Sequence, residues 1–175
     1  MSKKRNPVTA CELLKQLSQN HGFVRRDQQR EQKRRELEAL LRADEQPLVA
    51  ELTRAGCTVN SVWDLVNTKT KYSEAIPVLV KHLQLNYHVR NLEGIARALT
   101  VPEARGRPAQ VILHQLKLRA EMPHGELRFA LANALAATGD AAMRADIELL
   151  LADPRFKDLQ NVLILVLEKI SARTL

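Results

Sequence analysis

A helical phrase of ten residues returns three times in the C-terminal half of the chain, and it governs what the chain can fold into. The copies read Arg90-Asn-Leu-Glu-Gly-Ile-Ala-Arg-Ala-Leu99, Glu126-Leu-Arg-Phe-Ala-Leu-Ala-Asn-Ala-Leu135 and Asp158-Leu-Gln-Asn-Val-Leu-Ile-Leu-Val-Leu167. Aligned on their final leucines, they step by 36 and then 32 residues. Self-similarity at a period of a few tens of residues, made only of helix, implies repeats that cannot bury their apolar face alone. Stacking helix pairs solves that problem, because each repeat covers its neighbour. The expected fold is therefore all-α: an α-solenoid of stacked antiparallel helix pairs that leaves a long surface for a partner.

Aromatic residues are only 3% of the chain while apolar residues reach 45%, so the core must be built of Leu, Ala, Val and Ile. At 175 residues the chain is long enough to remove roughly 70% of its unfolded surface from water in a single domain. The longest apolar runs, such as Val162 to Leu167, fall far short of the ~20 residues that a membrane span requires, so no membrane partner is expected. Met1-Ser-Lys-Lys-Arg-Asn-Pro7 has no apolar stretch of signal-peptide length behind it. Cys11 and Cys57 are in no metal or redox spacing and read as reduced thiols, which points to the cytoplasm.

The net charge of +7 is unevenly distributed. Residues 1–44 carry 11 Lys/Arg against 6 Asp/Glu, whereas residues 45–175 carry 16 against 14. Two regions follow: a basic N-terminal helical arm over 1–44 and a nearly neutral solenoid over 45–175. In the arm, Pro7 suits a helix start, and Ala10, Leu13, Leu14 and Leu17 mark one face of a helix over residues 8–19. Asn20-His-Gly22 interrupts it. A charged helix over 25–43 then carries Arg25, Arg26, Arg30, Lys33, Arg34 and Arg35. These six can engage phosphates or an acidic protein patch. Asp27, Glu31 and Glu36 are interleaved with them, and a merely solvated helix is the plainer reading.

Pro47 is expected to open a new helix over 48–55 that closes at Gly56. Asn60 or Ser61 can cap a short helix through Val66, and Asn67 to Lys71 is a polar connection. Further helices are expected over 72–85, 89–99, 109–119, 126–137, 141–152 and 158–172. Pro77 lies in the first turns of one of them, where a missing N–H costs least.

On a helix turning about 100° per residue, Val89, Leu92, Ile95, Ala96 and Leu99 share one side. Arg90, Glu93 and Arg97 then line another. The same positions are Glu126, Phe129 and Asn133 in the second copy, and Asp158, Asn161 and Leu165 in the third. If successive second helices stand side by side, these residues form one ridge on the concave surface. Arg90, Glu93 and Arg97 are also at intrahelical ion-pair spacings, worth ~0.2–0.5 kcal/mol each without any ligand. The ridge is of mixed charge, which suits a protein partner better than a phosphate track.

Trp63 beside Asp64 can recognise a base or a cation, or can simply plug a joint between repeats. Tyr72, Tyr87 and His88 lie at helix ends, where their polar tips reach solvent or cap carbonyls, or contact a partner; Trp63, Asp64, Tyr72 and Tyr87 join the ridge as candidate partner-binding residues. None of the five histidines (His21, His82, His88, His114 and His124) pairs with Cys, His or a carboxylate in a zinc spacing. No phosphate loop, nucleophile elbow or paired-carboxylate constellation is present in the sequence, so neither a cofactor nor an enzyme is expected. An enzyme would have to centre on Asp64.

Ser61-Val-Trp-Asp-Leu-Val-Asn67, Tyr72-Ser-Glu-Ala-Ile-Pro-Val-Leu-Val-Lys-His-Leu83 and Glu93-Gly-Ile-Ala-Arg-Ala-Leu99 together resemble small bacterial HEAT-repeat (armadillo-like) proteins. The resemblance covers about residues 60–172, continues through Glu103-Ala-Arg-Gly106, and leaves out the first 45 residues. It implies a scaffold that grips another protein, and some members of that group are immunity proteins that neutralise a toxin. The alkylpurine DNA glycosylases share the shape and grip duplex DNA in a basic concavity. This chain has a single Trp and a nearly neutral repeat region. The expected order is thus a protein-binding module, which the resemblance narrows to an immunity protein against a toxin domain, then a nucleic-acid binder using the basic helix, and third a glycosylase-like enzyme.

Overall fold

The computed structural model describes residues 9–12, 19–122 and 125–174, and among these the chain is helical, with no strand. It divides into two compact units, Met1–Leu40 and Leu41–Leu175. The expected tail over 1–7, most of the helix expected over 8–19, and His124 lie outside the described residues. Thr9 and Glu12 make a reciprocal capping box: the Glu12 amide donates to Thr9 Oγ1 at 3.3 Å and the Thr9 amide to Glu12 Oε2 at 2.9 Å.

Helix α1 runs His21–Arg54. Asn20 is the break between helical Gln19 and α1, as expected, and it caps α1 by accepting the Phe23 amide on Oδ1 at 3.1 Å. Gly22, expected as a stop, therefore lies inside the first turn. From Arg25 to Leu40 every residue except Glu31 is exposed.

The break expected at Pro47 does not occur; the proline lies inside α1. A proline in a helix interior costs ~3 kcal/mol. Tertiary burial offsets that cost, since Leu48 and Leu52 are fully buried, each contributing ~1.5–3 kcal/mol. Glu45 adds a polar tie: its buried carboxylate accepts the Ser61 hydroxyl at 2.9 Å and the Val62 amide at 3.3 Å. The helix closes as expected at Gly56, whose φ is +90°. The Cys57 amide reaches Leu52 O and the Gly56 amide reaches Thr53 O, the paired bonds of a Schellman motif.

In the second unit follow α2 (Trp63–Val66), α3 (Ile76–His82), α4 (Val89–Ala98), α5 (Arg107–Leu118), α6 (Glu126–Thr138), α7 (Arg144–Ala152) and α8 (Gln160–Thr174). The helix expected over 72–85 is shorter: a 3-10 turn at Ser73–Ala75 leads into α3, and Pro77 sits in its first turn. Short 3-10 turns also precede α7 and α8. There Asp140 and Asp153 cap by accepting the amides of Ala142 and Arg155 at 3.0 and 2.9 Å.

Helix α4 packs against α2 and against α6, and α6 packs in turn against α8. Chain-adjacent helices also pair: α3 with α4, α5 with α6, and α7 with α8. A further contact joins α3 to α5. Small side chains permit these approaches. Ala130, Ala132 and Ala134 of α6 are buried, and Gly94 of α4 lies against Val62 and Trp63.

An arginine is among the polar side chains buried in this packing. Arg128 of α6 is only 2% exposed, with its guanidinium over the Phe156 ring at 5.0 Å. It donates to Met122 O at 3.0 Å, to Arg155 O at 2.6 Å and to Asp158 Oδ1 at 3.3 Å. Its Nε has no hydrogen-bond partner among the described residues. This one residue joins α6 to the turn that starts α8.

Candidate functional site

The periodicity places Arg97 of α4 and Asn133 of α6 at equivalent positions, and both line one cleft of about 520 Å³. That volume lies within the ~300–1,000 Å³ typical of ligand sites. Leu65, Val66, Ile76, Val101 and Ala130 supply apolar lining, and Lys69 and Lys71 enter from the connection between α2 and α3. Tyr72 ends that connection. Its hydroxyl donates to Ala98 O at 2.9 Å, satisfying a carbonyl at the end of α4. Burial, with Glu103 nearby, pushes the Tyr72 phenol above its ordinary pKa.

Arg97 is the hinge of this surface. Its Nε donates to Glu93 Oε1 at 2.9 Å within α4, and Nη2 donates to Glu126 Oε2 at 3.2 Å on α6. The first contact carries more weight because Glu93 is buried, 4% exposed. This corrects the expectation that Glu93 faces a partner: it lies beneath Arg97 and Arg90, whose Nη1 stands 3.7 Å from Glu93 Oε2. Arg90 also lies over the Trp63 ring, 5.8 Å from its centroid. An exposed pair such as Arg97 with Glu126 is worth under ~1 kcal/mol. That interhelical pair therefore fixes the Arg97 side chain more than it stabilises the fold.

Beside this polar patch, α6 presents Phe129, 43% exposed. The Asn133 amide donates to Phe129 O at 3.0 Å. On α8, Asn161 and Leu165 are exposed but do not line the cleft. Asp158, expected on the same ridge, meets Arg128.

Trp63 is half-buried and lines neither cleft. The Asp64 carboxylate is committed locally: Oδ2 accepts the amides of Asn60 at 2.8 Å and Ser61 at 3.2 Å. It borders a second cleft of about 370 Å³ with Cys57 and Glu74. Burial, then the Glu74 charge, raises the Cys57 thiol above its ordinary pKa.

Tyr87 belongs to a network that the sequence did not announce. Its hydroxyl is 2.6 Å from His82 Nδ1, and His82 Nε2 is 2.9 Å from Glu51 Oε2. An ionised carboxylate only accepts, so Nε2 carries a proton; in the neutral ring Nδ1 then accepts from the phenol. Glu51 also takes Lys81 at 2.7 Å, and Lys81 and then His82 hold its carboxyl at about 2. Burial, then Asp44 and Glu51, raises the Tyr87 phenol. Nearby, Asp44 Oδ2 accepts the His88 amide and the Asn91 side-chain amide, both at 2.8 Å. These contacts tie the last turns of α1 to α3 and α4. None of Glu51, His82 and Tyr87 lines either cleft described above. The only sequence signal was the presence of His82 and Tyr87 across a turn. Glu51 is 31 residues from His82, beyond any spacing rule.

The six cations of the charged helix, Arg25, Arg26, Arg30, Lys33, Arg34 and Arg35, are all exposed. Arg34 pairs with Glu31 at 2.8 Å and with Glu38 at 3.1 Å, and Arg35 pairs with Glu31 at 2.9 Å. No group of three or more His, Cys, Asp or Glu among the described residues is placed to hold a metal ion. No helix among them is long and apolar enough to cross a membrane. Comparison with protein-family models, curated proteins and solved structures finds no match to this chain.

Proposed function

We propose that residues from about 45 onward form a HEAT-like α-solenoid that binds a partner protein, without catalysis, on the surface shared by α4 and α6. The observation that carries this reading is the convergence of Arg97 and Asn133, equivalent positions of two repeats, on one cleft beside exposed Phe129. An aromatic anchor, a fixed guanidinium and an amide side by side are the composition of a protein-binding hot spot. The solenoid reading draws support from the succession of contacts from α2 through α4 and α6 to α8, in which alternate helices are neighbours. Narrowing the partner to a toxin, and the chain to a bacterial cytoplasmic immunity protein, rests on the resemblance of residues 61–67, 72–83 and 93–99 to that group.

The test begins with the gene immediately upstream. A large exported protein with a toxic C-terminal domain supports the immunity reading; a neighbour of another kind removes it. Affinity for that domain is then compared between the wild type and Phe129→Ala combined with Lys69→Glu. Arg97 is left intact because its removal strands buried Glu93. A loss of about tenfold or more, or ~1.4 kcal/mol, at unchanged melting temperature supports the surface. Unchanged affinity places the interface elsewhere.

A further inference from the structure

Helix α1 carries a second surface, within the first unit, that partner binding by α4 and α6 leaves unused. Arg26, Arg30, Lys33, Leu37 and Leu40 recur at steps of four, three, four and three residues. At about 100° per residue they fall within an arc of about 80°, along about 21 Å of helix. All five are exposed, and Leu37 and Leu40 keep 46% and 53% of their surface in water.

The carboxylates of this helix are outside that arc. Asp27, Glu31 and Glu38 project from one side of it and Glu36 from the other, by the same rotation per residue. Glu31 and Glu38 are already engaged by Arg34 and Arg35, and Glu36 accepts from Gln32 at 2.9 Å. These pairs neutralise Arg34 and Arg35. Arg26, Arg30 and Lys33 have no ion-pair partner among the described residues. What remains is a seam with three uncompensated cations at one end and two bare leucines at the other.

We propose that this seam docks an acidic amphipathic helix of a partner protein. Its carboxylates meet Arg26, Arg30 and Lys33, and its apolar residues cover Leu37 and Leu40. The alternation of four and three is the spacing at which two helices keep a shared seam over several turns. Charge at one end and apolar surface at the other fix both the direction and the register of the incoming helix. A second copy of this chain is disfavoured: in parallel it sets cations against cations, and in antiparallel it sets cations against leucines. A nucleic-acid backbone would satisfy the cations and leave both leucines in water.

The experiment uses the full chain and a fluorescent helical peptide of three heptads, with Glu at three successive seam positions and Leu at the next two. Its comparators are a scrambled peptide of equal composition, a DNA duplex and a single-stranded RNA. The expected result is binding about tenfold or more tighter than to the scrambled peptide. That preference is lost with Arg26→Glu plus Arg30→Glu, weakened separately by Leu37→Ser plus Leu40→Ser, and restored to the charge-reversed chain by a peptide with Lys in place of Glu. Equal binding of the scrambled peptide, or indifference to the leucine substitutions, overturns the proposal. So does tighter binding of DNA or RNA whose affinity falls steeply with salt, which would make α1 a phosphate track. None of these variants touches the cleft, so the outcome is independent of the function proposed above.

Discussion

Gly94→Ala tests whether the close approach of α2 to α4 is set by the missing side chain. A Cβ at that position would stand 2.6 Å from Val62 Cγ1 and 3.1 Å from both Cε2 and Nε1 of Trp63. Carbon atoms normally settle at ~3.5–4.0 Å, so Val62 would have to retreat by about 1 Å. It has little room, being fully buried with its amide donated to Glu45 at 3.3 Å. Overpacking of this kind costs ~1–3 kcal/mol. Replacing a helical glycine by alanine returns ~1 kcal/mol. The expected net loss is about 1 kcal/mol, or ~2–4 °C in Tm for a chain of this size. Removing the nearer obstacle relieves the clash: in a Val62→Ala background, where only the 3.1 Å approach to Trp63 remains, Gly94→Ala should cost less than in the wild type. Urea and thermal unfolding of the four proteins measure the coupling. Trp63, the single tryptophan, reports any displacement through its fluorescence. Gly94→Ala stabilising both backgrounds equally would refute the steric account.

Two further substitutions probe the buried polar contacts. Glu51 has its carboxyl at about 2 against an ordinary 4.5, so its folded-state pKa lies below the unfolded one. The stability it contributes is complete above 4.5 and is lost as pH falls toward 2. Glu51→Gln should therefore differ from wild type at neutral pH and converge with it over that window; urea midpoints that stay equally separated down to pH 2 would contradict this. Arg128→Leu strands the carbonyls of Met122 and Arg155, and should cost about 3 kcal/mol or more in urea unfolding. A loss below about 1 kcal/mol would mean that the desolvation of the guanidinium had already cancelled its bonds.

Local signals suffice where local chemistry decides the outcome. Gly56 closes α1 through a left-handed residue, and Pro77 begins α3 where no amide is needed. Pro47 carried the same kind of signal and misled, because the burial of Leu48, Leu52 and Glu45 outweighs the lost hydrogen bond and is invisible to local pattern. The repeat period aligns Arg97 with Asn133, and both line one cleft. It could not show that Glu93 is covered. A glutamate reads as surface by type, and only the folded positions of Arg90 and Arg97 place it beneath them. Residues 67–71 read merely as a connection, yet they supply Lys69 and Lys71 to the cleft. Nothing in their spacing relates them to α4 or α6.

The dense burial of α6 limits how this surface can be altered. With Ala130, Ala132 and Ala134 enclosed, a bulkier residue at any of them wedges α6 away from its neighbours. Glu126 and Phe129 are exposed, and Asn133, Ala136 and Ala137 are partly so. Substitution on this helix that spares the packing is thus confined to a handful of letters, while the remainder are committed to keeping the scaffold closed.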